Sequence, residues 1–261
     1  MPNYMPKIVT CFKWVLDEAD IKVAPNSREL ILDRVSYKIS DYDRNAIEEG
    51  VRLQELHGGS VAAVTLGLPS AKPSLKDALS RGPEKAYFIN DPSFKDLEPS
   101  QTASLLAAAI STHIEYDLII CGEGSSDLYT QQVGPRLAER LGIPCITFVN
   151  QLTIEDNHIL AERRLDDVIE VVAVPLPALV TVLPSINNPR IPSLKQVLGA
   201  AKKPVVNLTK KDLGQNDDCE SCLQTVNILA APMERRAIKF GAETEDISKF
   251  VNALIREGVV N

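Results

Sequence analysis

The chain has 261 residues, 44% hydrophobic and 24% charged, enough to bury one α/β core, few for two, and unlike a disordered chain. A formal net charge of −7 excludes a broad nucleic-acid surface, which needs clustered Lys and Arg; only Lys202–Lys203 and Lys210–Lys211 are locally basic. No apolar run nears the roughly 20 residues that cross a bilayer, and Met1–Lys7 lacks signal-peptide order, so we expect a cytoplasmic protein without a transmembrane segment.

Lys7–Trp14 is a β-branched and aromatic run that reads as a central first strand, followed by a long polar connection. Ser40–Asp41 supplies a helix start, and Ile47, Gly50 and Val51 repeat at helical spacing, which predicts a helix over Asp41–His57 ended by Gly58–Gly59. Ser60–Leu66 is a second strand, Leu75–Leu79 a short helix and Lys85–Ile89 a third strand. Pro99 opens a helix through Ile114, and Asp117–Cys121 is a wholly apolar strand core of the kind buried on both faces.

Val133, Leu137 and Leu141 mark another helix, stopped by Gly142–Pro144 ahead of a strand at Cys145–Val149. Five strands alternating with four helices imply an α/β fold: Rossmann-like, doubly wound, with a mainly parallel sheet. From Gln151 the rhythm changes. Leu152–Ile154, Ile159–Glu162 and Ile169–Val174 read as an antiparallel ribbon, and Ala178–Leu183 as a strand rejoining the main sheet. From about Pro204 the alternation is lost; Gln224–Ala230 is strand-like and Thr244–Glu257 helical. Residues 1–203 are therefore assigned to one nucleotide-binding domain and 204–261 to an extended C-terminal arm, whose Val226, Ile228 and Leu229 suit packing on a partner.

Open α/β sheets bind ligands beyond the carboxyl ends of their strands. That selects Cys11–Lys13, Ser40–Asp43 and the loop Gly122–Gly134 (GEGSSDLYTQQVG). In the loop, Gly122, Gly124, Ser125 and Ser126 are small enough to admit a ligand to the backbone, and Thr130–Gly134 opens a helix whose amides suit a phosphate. The same residues equally suit a helix cap and turn. Neither a Walker loop nor a GxGxxG fingerprint is present.

Catalytic patterns are weak. His57, His113 and His158 are scattered and read as solvent-facing, Asp166–Asp167 as a solvated turn, and no GxSxG or HExxH occurs. Of the five cysteines, Cys11, Cys121 and Cys145 read as buried thiols; Cys219 and Cys222 form a CxxC, the spacing of a redox dithiol or of half a zinc site, but no second half follows, so it reads as incidental and no metal is expected. A nucleotide-compatible pocket without acid–base machinery suits a chain that leaves its chemistry to a cofactor.

Several stretches carry a family likeness: VTCFKWVLD at the start, ISDYDRNAIEEGVRL at the first helix, CGEGSSDLYTQQVGPRLA, AERRLDDVIEVVAVPLPALVTV, and INNPRIPSLKQVLGAAKKP. From Lys7 to about Gly214 they resemble the electron-transfer flavoprotein beta subunit, and SRGP, GEGSSDLYTQQVG and LGAAKKP are especially similar to the Fix-type branch and to bifurcating relatives that accompany enoyl-CoA-type reductases. Val168 stands where the family pattern has an acidic residue or glycine.

The resemblance implies a subunit paired with an FAD-bearing alpha subunit. It holds a second FAD that meets NADH (NAD as coenzyme) in the bifurcating branch, or AMP in the simple branch. Carried over by position, the nucleotide lies against Cys11, Ser40, Asp41, Tyr42, Asp43 and Leu66. The loop side of the bed comprises Asp127, Leu128, Tyr129, Thr130, Gln131, Gln132, Val133 and Gly134, continuing to Ala138. Gly122 and Ser126 join this bed from the loop reading above.

Also implied is delivery of electrons to ferredoxin or flavodoxin and to an acyl-CoA dehydrogenase or enoyl-CoA-type reductase, with Ile186 as an apolar anchor for that partner. NADH oxidation would then belong to the complex, with no catalytic residue in this chain. Two other readings remain: a simple AMP-holding electron carrier subunit and a stand-alone nucleotide-binding signalling module.

Overall fold

A computed structural model describes residues 5–25, 27–214, 223, 225–232 and 237–260. The first apolar run forms β1 (Lys7–Cys11), but the strand stops short of Trp14. Trp14–Leu16 (β2) leaves the main sheet. The polar connection holds a small ribbon, Lys22–Val23 (β3) with Leu30–Ile31 (β4), before Tyr37–Ile39 (β5) returns to pair antiparallel with β2. Trp14 stacks on Tyr37 across that pair, with ring centroids 6.2 Å apart.

The helix α1 (Asp41–His57) has the predicted bounds and ends at Gly58, whose φ of 77° lies in the left-handed region that glycine adopts without a Cβ clash. There follow β6 (Ser60–Gly67), α2 (Pro73–Ser80), β7 (Lys85–Asn90), α3 (Pro99–His113), β8 (Leu118–Gly122) and α4 (Val133–Leu141). Cys145–Glu155 is one continuous strand, β9, where the sequence pattern suggests two. Its first part pairs parallel in the main sheet and its second part antiparallel with β10 (His158–Arg164). β11 (Ile169–Pro175) completes the ribbon, and β12 (Ala178–Val182) enters between β8 and β9.

After β12 come α5 (Leu194–Ala200) and β13 (Val205–Leu208). β13 pairs parallel with β7, so the sheet extends past residue 203 into the segment assigned to the arm. The sheet order is β11-β10-β9-β12-β8-β1-β6-β7-β13, with β9 through β13 parallel and the ribbon antiparallel. One face packs under α1, α2 and the end of α5, through Ile47, Leu75 and Ala200. The other packs under α3 and α4, through Ile110 and Leu137. Burying an Ile such as Ile119 or Ile120 contributes about 1.5–3 kcal/mol, which is why strands covered on both faces read as unbroken apolar runs.

Two compact units are distinguished: residues 1–22 with 32–226, and residues 23–31 with 227–261. In the second, the Ala230 N–H donates to the Arg28 carbonyl at 2.8 Å, and Leu229 bridges to Glu29. That bridge is isolated, so the described part of the predicted strand over Gln224–Ala230 is no strand, and Gln224 itself lies outside the described residues. The final helix α6 (Thr244–Arg256) buries no residue; Ile247, Phe250, Val251 and Ile255 are exposed, and Phe250 packs on Phe240.

Candidate functional site

From β1 the sheet grows through β6, β7 and β13 on one side and through β8, β12 and β9 on the other. The β1–β8 boundary is thus a topological switch point, where the chain leaves adjacent strand ends in opposite directions and opens a crevice. Two of the three predicted segments, Cys11–Lys13 and the loop after Gly122, start at those ends. The third, Ser40–Asp43, is the entry to α1, which packs across them.

Asp43 joins all three. Its carboxylate accepts the backbone N–H of Lys13 at 2.8 Å and of Gly122 at 3.2 Å. Burial pushes its carboxyl up to about 7, against the pull of those two hydrogen bonds and of the nearby Lys13 charge. Lys13 turns its ammonium to Asp127 at 2.6 Å, which closes an ion pair from the end of β1 to the loop. Burial opposes ionisation of Asp127, but Lys13 and local hydrogen bonds outweigh it and hold its pKa below the ordinary value.

Ser40 is the residue before α1, as predicted, but its hydroxyl does not cap its own helix. It accepts the Ser126 N–H at 3.2 Å, and the Ser126 hydroxyl in turn accepts the Asp41 N–H at 2.9 Å. The first amide of α1 is thereby satisfied from the loop, an N-cap supplied by a distant residue. Tyr42 meets Tyr129 of the loop with ring centroids 5.1 Å apart.

The small residues have a different cause from the one expected. A Cβ on Gly122 would fall 2.6 Å from Asp43 Oδ1 and 2.7 Å from Tyr42 Cβ, and one on Gly134 would fall 2.4 Å from Thr181 Cγ2. Glycine at these positions answers to protein packing: α1 lies on the end of β8, and α4 on β12. At the entry to α4 Gln132 provides no side-chain cap, and because the third residue is Pro135 the amides left for an anion are those of Val133 and Gly134. Thr130 and Gln132 are exposed there, Val133 is half-buried and Gly134 buried.

Leu66, next to last in β6, is half-buried against the core cluster that contains Cys11, and Leu128 is exposed on the loop. Cys11 and Cys121 are buried, and the hydrogen bond that the Cys121 thiol donates to Cys11, together with burial, pushes its pKa well up, which disfavours the reactive thiolate. Cys145 is exposed, a correction to the expected buried thiol: β9 begins with it on an uncovered side. Cys219 and Cys222 lie outside the described residues.

Beyond β12, Pro184–Ile186 forms a 3-10 turn, and Ile186 is half-buried against the core cluster under α1 rather than standing free. The free apolar side chains come later, Ile191 at 93% exposed and Leu194 at 75%. The intervening chain is fixed to α1. Asn187 donates to the Asn45 carbonyl at 3.0 Å and to Glu49 at 2.9 Å, while Arg190 pairs with Glu48 at 2.9 Å and with Glu55 at 2.6 Å.

Sequence reasoning missed Glu123, a buried acid between two glycines directly after an apolar strand. An acid in so apolar a setting was its available signal. Among the described residues no helix is long and apolar enough to cross a membrane. The family model for the electron transfer flavoprotein domain matches residues 29–213, well over half of the chain, and spans α1, the loop and the ribbon.

Proposed function

The chain belongs to the electron transfer flavoprotein domain family and has a role in flavin-linked electron transfer; we propose that it is a beta subunit of the Fix-type, bifurcating branch. In this reading it holds FAD at the β1–β8 switch point, meets NADH there, and works in the cytoplasm with an FAD-bearing alpha subunit. Electrons go to ferredoxin or flavodoxin and, through the alpha subunit, to an acyl-CoA dehydrogenase or enoyl-CoA-type reductase.

The observation that carries this reading is the convergence of Lys13, Ser40–Asp43 and the loop residues Gly122, Ser126 and Asp127 on the β1–β8 switch point. The residues present fit a nucleotide. The uncapped amides of α4 suit a phosphate, the Tyr42 and Tyr129 rings offer an apolar face, and Lys13 offsets negative charge. A bound flavin supplies hydride acceptance and one-electron transfer. The chain's own residues bind it, orient it and limit its contact with water.

The exposed Ile191 and Leu194 are the apolar side chains offered to the dehydrogenase, in place of Ile186, and the exposed face of α6 is offered to the alpha subunit. AMP in place of FAD is the alternative, since the same amides suit either phosphate. Nucleotides released from the purified alpha–beta complex decide between them. Two FAD per complex supports the bifurcating subunit; one FAD with one AMP overturns it in favour of the simple carrier.

A further inference from the structure

One carboxylate beside the crevice has no part in the reading above. Glu123 follows β8, is 3% exposed, and reaches three separate elements. Its Oε2 accepts the backbone N–H of Phe148 in β9 at 2.8 Å and the hydroxyl of Thr181 in β12. Its Oε1 accepts the side-chain amide of Gln131 at 3.4 Å. Burial raises its pKa, opposed by those hydrogen bonds and by the charge of Arg163 in β10.

Burying a carboxylate is costly even when it is hydrogen-bonded, and filling space needs only an apolar side chain. The link to Gln131 is what such filling would not provide. Gln131 sits at φ 58° and Tyr129 at φ 46°, a left-handed backbone that non-glycine residues leave unless they are held. Tyr129 fills the space over Gly124 and meets Tyr42, and the loop then runs straight into the uncapped start of α4. Gln131 is two residues beyond Tyr129 on the same left-handed stretch, so the sheet reaches the tyrosine pair through Glu123, Gln131 and the intervening backbone.

We propose that Glu123 is a positioning residue for the nucleotide bed: through Gln131 it holds residues 129–133 in the form that presents Tyr129 and the α4 amides to the ligand. The inference rests on the nucleotide reading of that bed. It gives the acid a role without placing it in contact with the ligand.

The test titrates FAD and AMP separately into the full-length chain, its Gln131→Gly, Glu123→Ala and Glu123→Gln variants, and the Gln131→Gly/Glu123→Ala double variant, with melting temperature recorded for each. Glycine adopts φ 58° without strain and Gln131 is only half-buried, so Gln131→Gly keeps the test valid even if Glu123→Ala fails to fold. Gln131→Gly and Glu123→Ala should each weaken binding by about threefold to tenfold, as the loss of one hydrogen bond implies. The double variant should be no weaker than either alone, within about twofold, because both cut one link. Glu123→Gln should bind within about twofold of wild type, since its amide can still accept from Phe148 and donate to a flipped Gln131. Unchanged affinity in Gln131→Gly, or full additivity in the double variant, overturns the proposal. Absence of FAD and AMP binding in the wild type overturns the nucleotide reading, and the proposal with it.

Discussion

The carboxylate of Asp43, in the first turn of α1, accepts the backbone N–H of Lys13 at 2.8 Å. Through its second oxygen the same side chain holds Gly122, so one buried acid ties together the ends of the two strands that flank the switch point.

This staple titrates. Burial lifts the Asp43 pKa to about 7, above its unfolded value near 3.8, so from about pH 4 to 7 the folded chain keeps a proton that the unfolded chain has lost. The stability contributed by that proton is full below about pH 4 and is lost as pH rises through 7. Wild type minus Asp43→Asn, measured by urea unfolding, should therefore fall by up to about 4 kcal/mol across that range. A difference independent of pH would count against a buried, ionisable staple.

Ser126→Ala removes the hydroxyl that accepts the Asp41 N–H, while the backbone N–H of residue 126 still reaches Ser40. The loss should lower stability by about 1 kcal/mol, the usual effect of a missing N-cap, and weaken nucleotide binding because one of the ties between the loop and α1 is gone. Chemical unfolding and an FAD titration check the two effects, and unchanged values in both contradict the loop geometry.

Gly134→Val places a side chain where Thr181 Cγ2 would lie 2.4 Å from its Cβ. Because α4 must lift off β12, stability should fall by about 1–3 kcal/mol and cofactor content should fall with it. Retention of both would show that α4 can move without disturbing the bed.

For the partner surface, Ile186 and Leu194 separate two roles. Ile186→Asp puts a charge against the core cluster and should destabilise the chain by about 1–3 kcal/mol. Leu194→Asp lies at an exposed first helical position, which favours an acid, so it should leave stability unchanged while raising the KM for electron delivery to the dehydrogenase. The reverse pattern, a stable Ile186→Asp with impaired delivery, would restore Ile186 as the anchor.

What could be read in the sequence depended on how local its causes were. Asp41–His57 announced itself through a polar start, an apolar stripe and a Gly–Gly stop, all within the segment. Leu118–Cys121 did so through an unbroken apolar run. By contrast, Trp14–Leu16 and Tyr37–Ile39 are three-residue strands whose only reason to be strands is each other, and β13 exists because β7 offers an edge. β9 runs through Asn150–Gln151 because it pairs with different strands on either side of that point.

At the site, the segments were legible because strand ends and helix starts have sequence marks. The links between them were not. Nothing near residue 126 reveals that it caps a helix 85 residues earlier, or near residue 123 that its carboxylate reaches Phe148 and Thr181. The glycines misled in a specific way, since an empty side-chain position is equally explained by a ligand and by a neighbouring helix.

The central claim, a nucleotide cofactor at the β1–β8 switch point, is tested most directly by amide hydrogen exchange on the purified complex before and after removal of its nucleotides. Cofactor binding should protect residues 11–13, 40–43 and 122–134 of this chain together. Unchanged exchange in those three segments, with protection confined to the ribbon or to α6, would contradict it.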